Sequence, residues 1–237
     1  MRLKYLLLAS TVLIFFTILT FPMRGAVIFI PTDNISLLGS SGFWWKGQIY
    51  SLKIDDQNLG MVSLELDFSG LLSKKIKFKI HQKNSILISS GYLSKSFSDW
   101  ELEDFKFKLD LTQSTLQSSI YSSEGYIEKL IFNTKGCVEA RGKIISKVSD
   151  IFGLFSKDLL LASNLSCKED SLYGNFQAED KEVLNGYFSL DINYYYKMEA
   201  YSQKLYSKLN ELQKYKPNLQ PSIKVEGSLN ELVKTLN

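Results

Sequence analysis

The chain of 237 residues carries 28 lysines and arginines against 25 aspartates and glutamates, a formal net charge of +3, with basic residues spread among acidic ones. That balance leaves no electrostatic footprint for nucleic acid. One histidine, His81, and two cysteines without a C-x-x-C spacing supply no ligand set for a metal, and no cofactor is expected.

Arg2 and Lys4 precede an uncharged stretch from Tyr5 to Phe21, YLLLASTVLIFFTILTF, which ends at Pro22, Met23 and Arg24. Its length is near the lower limit for a helix crossing a hydrocarbon core of roughly 30 Å. Arg24 stands where a cleaved export signal would carry a small residue, so the reading is an uncleaved transmembrane signal anchor over 5–23. The cationic tip, 1–4, then faces the cytoplasm. Residues 24–41 read as a linker, and 42–237 as a β-rich domain on the far side of the membrane. Cys137 and Cys167 suit an oxidising compartment there. They are most simply one disulfide, worth about 3–4 kcal/mol through loop closure, the alternative being two buried thiols.

From Gly42 the hydrophobic period switches to two. WWKGQIYSLKI, GMVSLELDF, KKIKFKI and SILISSGYL follow at even spacing, separated by polar or glycine-containing turns. In the third of these, Ile76, Phe78 and Ile80 share one face, while Lys75, Lys77 and Lys79 face water. The alternation returns at Phe105, Phe107, Leu109 and Leu111. Further strands are expected at 115–122, 125–132, 136–147, 159–167, 171–178 and 183–196. Two segments break the rule: 149–159, long enough for a helical turn or two, and an amphipathic helix over about 202–215. In the latter, Leu205, Leu209 and Leu212 fall at helical spacing, Ser202 can cap and Pro217 stops it. A last strand follows at 221–229. The fold class is therefore mainly β: a transmembrane helix, then a long, curved, mostly antiparallel sheet with one C-terminal helix packed on its apolar face.

Catalytic chemistry is missing from the motifs. There is no G-x-S-x-G, H-E-x-x-H, phosphate-binding loop or dinucleotide fingerprint, and the sole possible imidazole base, His81, ends a lysine-rich strand. The acidic groups Asp55 with Asp56, and Glu101 with Glu103 and Asp104, sit in what read as turns and exposed strand faces. No enzyme is expected. Two aromatic runs are interface candidates. Trp44 and Trp45 open the first strand, where adjacent side chains point to opposite faces, so one should be buried and the other left for a membrane, a helix or a partner. Tyr194, Tyr195 and Tyr196 pair apolar rings with polar tips.

The stretch SGFWWKGQIYSLKIDDQNLGMVSLELDFSGLLSKKIKFKI after an apolar N-terminal segment resembles the type II secretion system protein N (GspN) family. The matching positions are Gly42, Trp44 or Trp45, Gly47, Leu52, Leu59, Gly60, Leu64, Leu66, Leu71 and Leu72. LLASNLSCKEDSLYGNFQAED is similar to that family's strand ending in a cysteine, which implies Cys137 as the partner of Cys167. The closing strand, helix and G-x-L strand, with Gly227 and Leu229, fit as well. The resemblance implies a non-enzymatic component or accessory of the type II secretion system, anchored by a single pass in the bacterial inner membrane. Its domain would lie in the periplasm and contact other inner-membrane secretion components. A layout shared with AsmA-like proteins implies an alternative, a periplasmic lipid-binding or lipid-transfer protein. Its apolar groove, lined by Ile76, Phe78, Ile80, Phe105, Phe107 and Leu109, would hold phospholipid.

Overall fold

The computed structural model describes residues 2–27, 35–54, 57–110, 120–148, 158–179, 184–193, 195–202 and 222–228. An apolar helix, α1 (Arg2–Leu19), leads into a short helical turn, α2 (Met23–Val27). Then come β1 (Ile35–Phe43), β2 (Lys46–Ile54) and β3 (Gln57–Asp67), a second turn, α3 (Ser69–Leu72), and β4 (Ile76–Lys83), β5 (Leu87–Lys95) and β6 (Trp100–Asp110). The remaining strands are β7 (Ile120–Phe132), β8 (Cys137–Val148), β9 (Leu159–Lys168), β10 (Ser171–Ala178), β11 (Asn185–Leu190), β12 (Tyr195–Tyr201) and β13 (Ser222–Ser228). Each strand pairs antiparallel with its neighbours in sequence, so the spatial order runs from β1 to β13 without a crossover. The described residues form one long open antiparallel sheet of 13 strands.

Several expected boundaries move. The first strand begins at Ile35 inside the expected linker, because a glycine-containing stretch still pairs: Gly42, at φ +85°, faces Gly47 across the hairpin. The expected strands over 115–122 and 125–132 meet in one, β7, which covers 120–132, while 115–119 lie outside the described residues. The expected strand over 183–196 is two strands, because the Asp191 carboxylate accepts hydrogen bonds from the backbone N–H of Asn193 (2.8 Å) and Tyr195 (2.9 Å) and turns the chain. Apart from Ser202, the amphipathic helix over 202–215 lies outside the described residues, as do 149–157.

The N-terminal expectation is also corrected. α1 ends at Leu19, and from Tyr5 its uncharged part rises only about 22 Å at 1.5 Å per residue. Among the described residues no helix is long and apolar enough to cross a membrane.

The apolar face needs its side chains in phase across all strands. Leu102 and Phe105 have an odd spacing, which on a regular strand would place them on opposite faces. One extra residue, Asp104 at φ +47°, restores the phase, and the β5–β6 register shifts there, between Ser90 and Tyr92. β7 carries a matching irregularity between Ile127 and Lys129, so the β6–β7 pairing itself runs unbroken. On the face so aligned, Ile127, Ala140 and Leu165 are buried, with Phe105, Leu130 and Phe188 packed against them. The layer also covers itself: a Cβ added at Gly125 would stand 2.4 Å from the Phe107 ring, and one at Gly174 2.4 Å from the Phe188 ring. Each ring lies flat on the backbone of the next strand.

Cys137 and Cys167 are joined, with Sγ atoms 2.02 Å and Cα atoms 5.5 Å apart, tying the start of β8 to the end of β9 inside this cluster. The loop closed spans a separation of 30 residues. Replacing both cysteines by serine should therefore lower unfolding free energy by about 3–4 kcal/mol in a urea titration. An unchanged midpoint would show that the bond leaves the unfolded chain unconstrained.

Candidate functional site

Trp44 and Trp45 are not on a strand. They form the two-residue connection between β1 and β2, where the chain reverses, so both side chains can turn toward one object. That object is the end of α1. The Trp44 indole N–H donates to the carbonyl of Ile18 (2.7 Å) and that of Trp45 to the carbonyl of Leu19 (2.9 Å). The last carbonyls of a helix lack partners within it, and here two of them, those of Ile18 and Leu19, accept from the indoles. The Trp44 amide donates to Phe21 (3.2 Å), Pro22 bridges to Phe43, and the Phe43 and Trp45 rings stack 5.8 Å apart. Met23 is buried beside Gly47, where any Cβ would lie 3.0 Å from its Cγ. In place of the expected split, one tryptophan buried and the other left for a membrane, a helix or a partner, both are half-buried in a paired clamp on the helix.

The six groove candidates do converge. Ile76, Phe78 and Ile80 on β4 and Phe105, Phe107 and Leu109 on β6 face the same side, separated by β5, with the Phe105 and Phe107 rings 6.4 Å apart. Ile76 is exposed and the other five are half-buried. Tyr195 is exposed and Tyr196 half-buried at the start of β12, while Tyr194 lies outside the described residues.

The opposite face departs from the expected row of solvated lysines. Only Lys79 stands exposed there; Lys75 and Lys77 reach over β5 to Glu101 and Glu103 on β6. Lys129 on β7 lies 3.6 Å from Glu101 and 3.0 Å from Glu139 on β8, and Arg141 joins Glu139 at 2.9 Å and Glu128 at 3.3 Å. Glu101, expected on an exposed face, is buried. Burial pushes its carboxyl up, yet the ammonium groups of Lys75 and Lys129 hold it below the usual carboxylate range. Ser94, fully buried on β5, leaves the room that lets these long side chains close over the strand between them.

At the β13 end of this face Glu199 is buried among tyrosines. Tyr187 donates to it at 2.9 Å, Lys224 lies 3.1 Å away, and the Tyr173 and Tyr187 rings stack 5.4 Å apart. The hydrogen bond from Tyr201, against some opposing desolvation, leads the effects that bring Glu199 down from 4.5 to about 2. The same bond raises Tyr201 to about 12.

A third polar feature, a hollow of about 370 Å³ near the tryptophan clamp, is lined by Lys46, Gln48, Ser63, Glu65, Lys79 and His81 among others. Lys46 and Glu65 pair across it at 2.8 Å, and the hydrogen bond from Lys46 lowers Glu65. Asp55 and Asp56 lie outside the described residues, and among those described no cluster of three His, Cys, Asp or Glu could hold a metal ion. Sequence reasoning missed the ion-paired ladder and the Glu199 cluster. The signal for the first was present in the alternating charges of Lys75–Lys79 and Glu101–Glu103, which become complementary once β5 alone stands between them.

Taken together, these features define a single open sheet with one apolar and one ion-paired face, clamped at one corner to the end of an apolar helix. A family model for type II secretion system (T2SS), protein N, matches residues 33–230. The chain belongs to that family, which places its role in type II secretion. No curated protein and no solved structure matches it.

Two outcomes test the geometry. Trp44→Phe and Trp45→Phe keep the ring but remove the donor, so each should cost about 1 kcal/mol. Each should also speed amide exchange at Thr20 and Phe21, whose N–H groups bond the carbonyls of Phe16 and Ile18; unchanged exchange would mean the indoles do not hold the helix end. For Glu199, a depressed carboxyl stabilises the fold fully above its ordinary 4.5, and that contribution is lost as pH falls toward about 2. Urea unfolding between pH 5 and pH 2 should show this slope in the wild type and a flatter one in Glu199→Gln. Equal slopes would remove Glu199 from the acid response.

Proposed function

We propose that the chain is a non-enzymatic component or accessory of the type II secretion system, attached to the bacterial inner membrane through α1, with its sheet on the periplasmic side. It acts by contacting other inner-membrane secretion proteins. The family match over residues 33–230 carries this reading. The Cys137–Cys167 bond supports an oxidising compartment, because disulfides persist outside the cytosol. Val12, Leu13, Ile14 and Ile18 support lipid contact for α1, since their side chains are exposed on the described helix. An outer edge of the described sheet offers a physical route to protein contact, as backbone groups at a sheet edge can accept an added strand.

A second reading, acyl chains lying along the apolar face, is favoured by one observation: Phe78, Ile80, Phe105, Phe107 and Leu109 share that face and are only half-buried. One preparation tests both. After cross-linking in native membranes and detergent extraction, the chain should bring down inner-membrane secretion components identified by mass spectrometry. Recovery of none of them would defeat the first reading, and phospholipid retained at a fixed ratio on the purified chain would favour the second.

A further inference from the structure

In a meander the turns alternate between the two ends of the sheet, so the connections after β1, β3 and β5 lie at the same end. The first of these is the Trp44–Trp45 clamp on α1. The next two stand about 10 and 20 Å further along, at about 4.8 Å per strand. Both put large apolar side chains at their tips: Phe68, Leu71 and Leu72 are 56%, 53% and 91% exposed, and Phe97 is 105% exposed.

Neither loop is loosely built. The Asp67 carboxylate accepts from the N–H and hydroxyl of Ser69 at 3.0 and 2.7 Å, and the Gly70 carbonyl accepts from the amides of Ser73 and Lys75. Gly70 is buried, with a Cβ there falling 2.7 Å from Lys77 Cβ. In the second loop the Ser96 amide donates to the Asp99 carbonyl (2.9 Å) and the Asp99 amide to the Ser96 hydroxyl (3.0 Å). Fixed turns of this kind ordinarily carry glycine and short polar residues, and an apolar tip on each is a departure that the fold itself does not require. Lys74 is exposed behind the first tip, and Lys95 lies over the Trp100 ring behind the second, 4.8 Å from its centre.

We propose that Phe68, Leu71, Leu72 and Phe97 insert into the lipid interface beside α1, with Lys74 and Lys95 at headgroup level. The occupant is a lipid surface because the tips continue from the exposed apolar flank of α1 through two indoles, side chains that favour the boundary between lipid and water. The uncharged rise of α1, about 22 Å, also falls short of the hydrocarbon depth, so a seated helix draws the clamped end of the sheet toward the bilayer.

The inference rests on the membrane attachment proposed above, and the test separates the two. Full-length chains carrying an environment-sensitive fluorophore on Leu72→Cys, Phe97→Cys, Leu13→Cys or Ser85→Cys, the last at the opposite end of the sheet, would be reconstituted into vesicles of phosphatidylethanolamine and phosphatidylglycerol. Emission from positions 72 and 97 should shift to the blue and be lost to lipids spin-labelled near the headgroup, with position 85 unaffected. Quenching at 13 without quenching at 72 and 97 would overturn the loop insertion and leave the attachment standing, with a protein partner as the remaining occupant of the tips. No quenching at any of the three would overturn both.

Discussion

Among the described residues one constraint governs the rest: a single sheet of strands, each bonded only to its neighbours in sequence, must keep one apolar face continuous. Backbone pairing is local, so each hairpin satisfies its own donors and acceptors. The side chains carry the longer-range order. A slip of one residue at any ladder would exchange the faces of every strand beyond it. The paired irregularities at Asp104 and near Glu128 are where the chain meets that demand, since both strands insert their extra residue at the same level and remain in register with each other. The disulfide ties β8 to β9 beyond the last ladder pair of those strands, Gly142 with Leu165.

Local pairing also explains what could be read in advance. Strands with strict alternation, such as Ile76–Lys83, declare their faces in the residues themselves, and the sheet class follows from their repetition. The failures share a cause. A two-residue connection made of Trp44 and Trp45 carries no glycine, asparagine or proline, so nothing marks it as a turn; the glycines that permit it, Gly42 and Gly47, sit one pair inside the strands. Asp191 hides a turn within an aromatic run because its effect is a side-chain hydrogen bond to later amides. Glu101 looks exposed in a list of charged neighbours, and becomes buried only because Ser94 and two lysines from other strands meet over it. The groove candidates were legible as a face, but whether a face is open depends on what lies across it, which alternation does not encode.

The two faces differ in how much they leave for partners. Across β4 to β8 one ladder of charges on the polar face is paired within the sheet, with Lys75, Lys77, Lys129 and Arg141 each facing a carboxylate on a neighbouring element, while Lys79 stays exposed. Partner recognition through that region would have to break pairs that include buried Glu101, and removing one member of such a pair leaves the other uncompensated.

The edges and ends of the sheet stand apart from that ladder. The β1 edge is partly closed by Pro22 against Phe43, and the neighbouring clamp gives the sheet a fixed relation to α1. Orientation matters more than affinity for a protein working in an assembly, because a sheet swinging freely on a chain end would present its edge at every angle. Two indole hydrogen bonds to successive carbonyls restrain both tilt and rotation about the helix end, whereas one would leave a pivot. The clamp thus converts the axis of α1 into a direction for the sheet, and the placement of both tryptophans in one turn is what makes that possible.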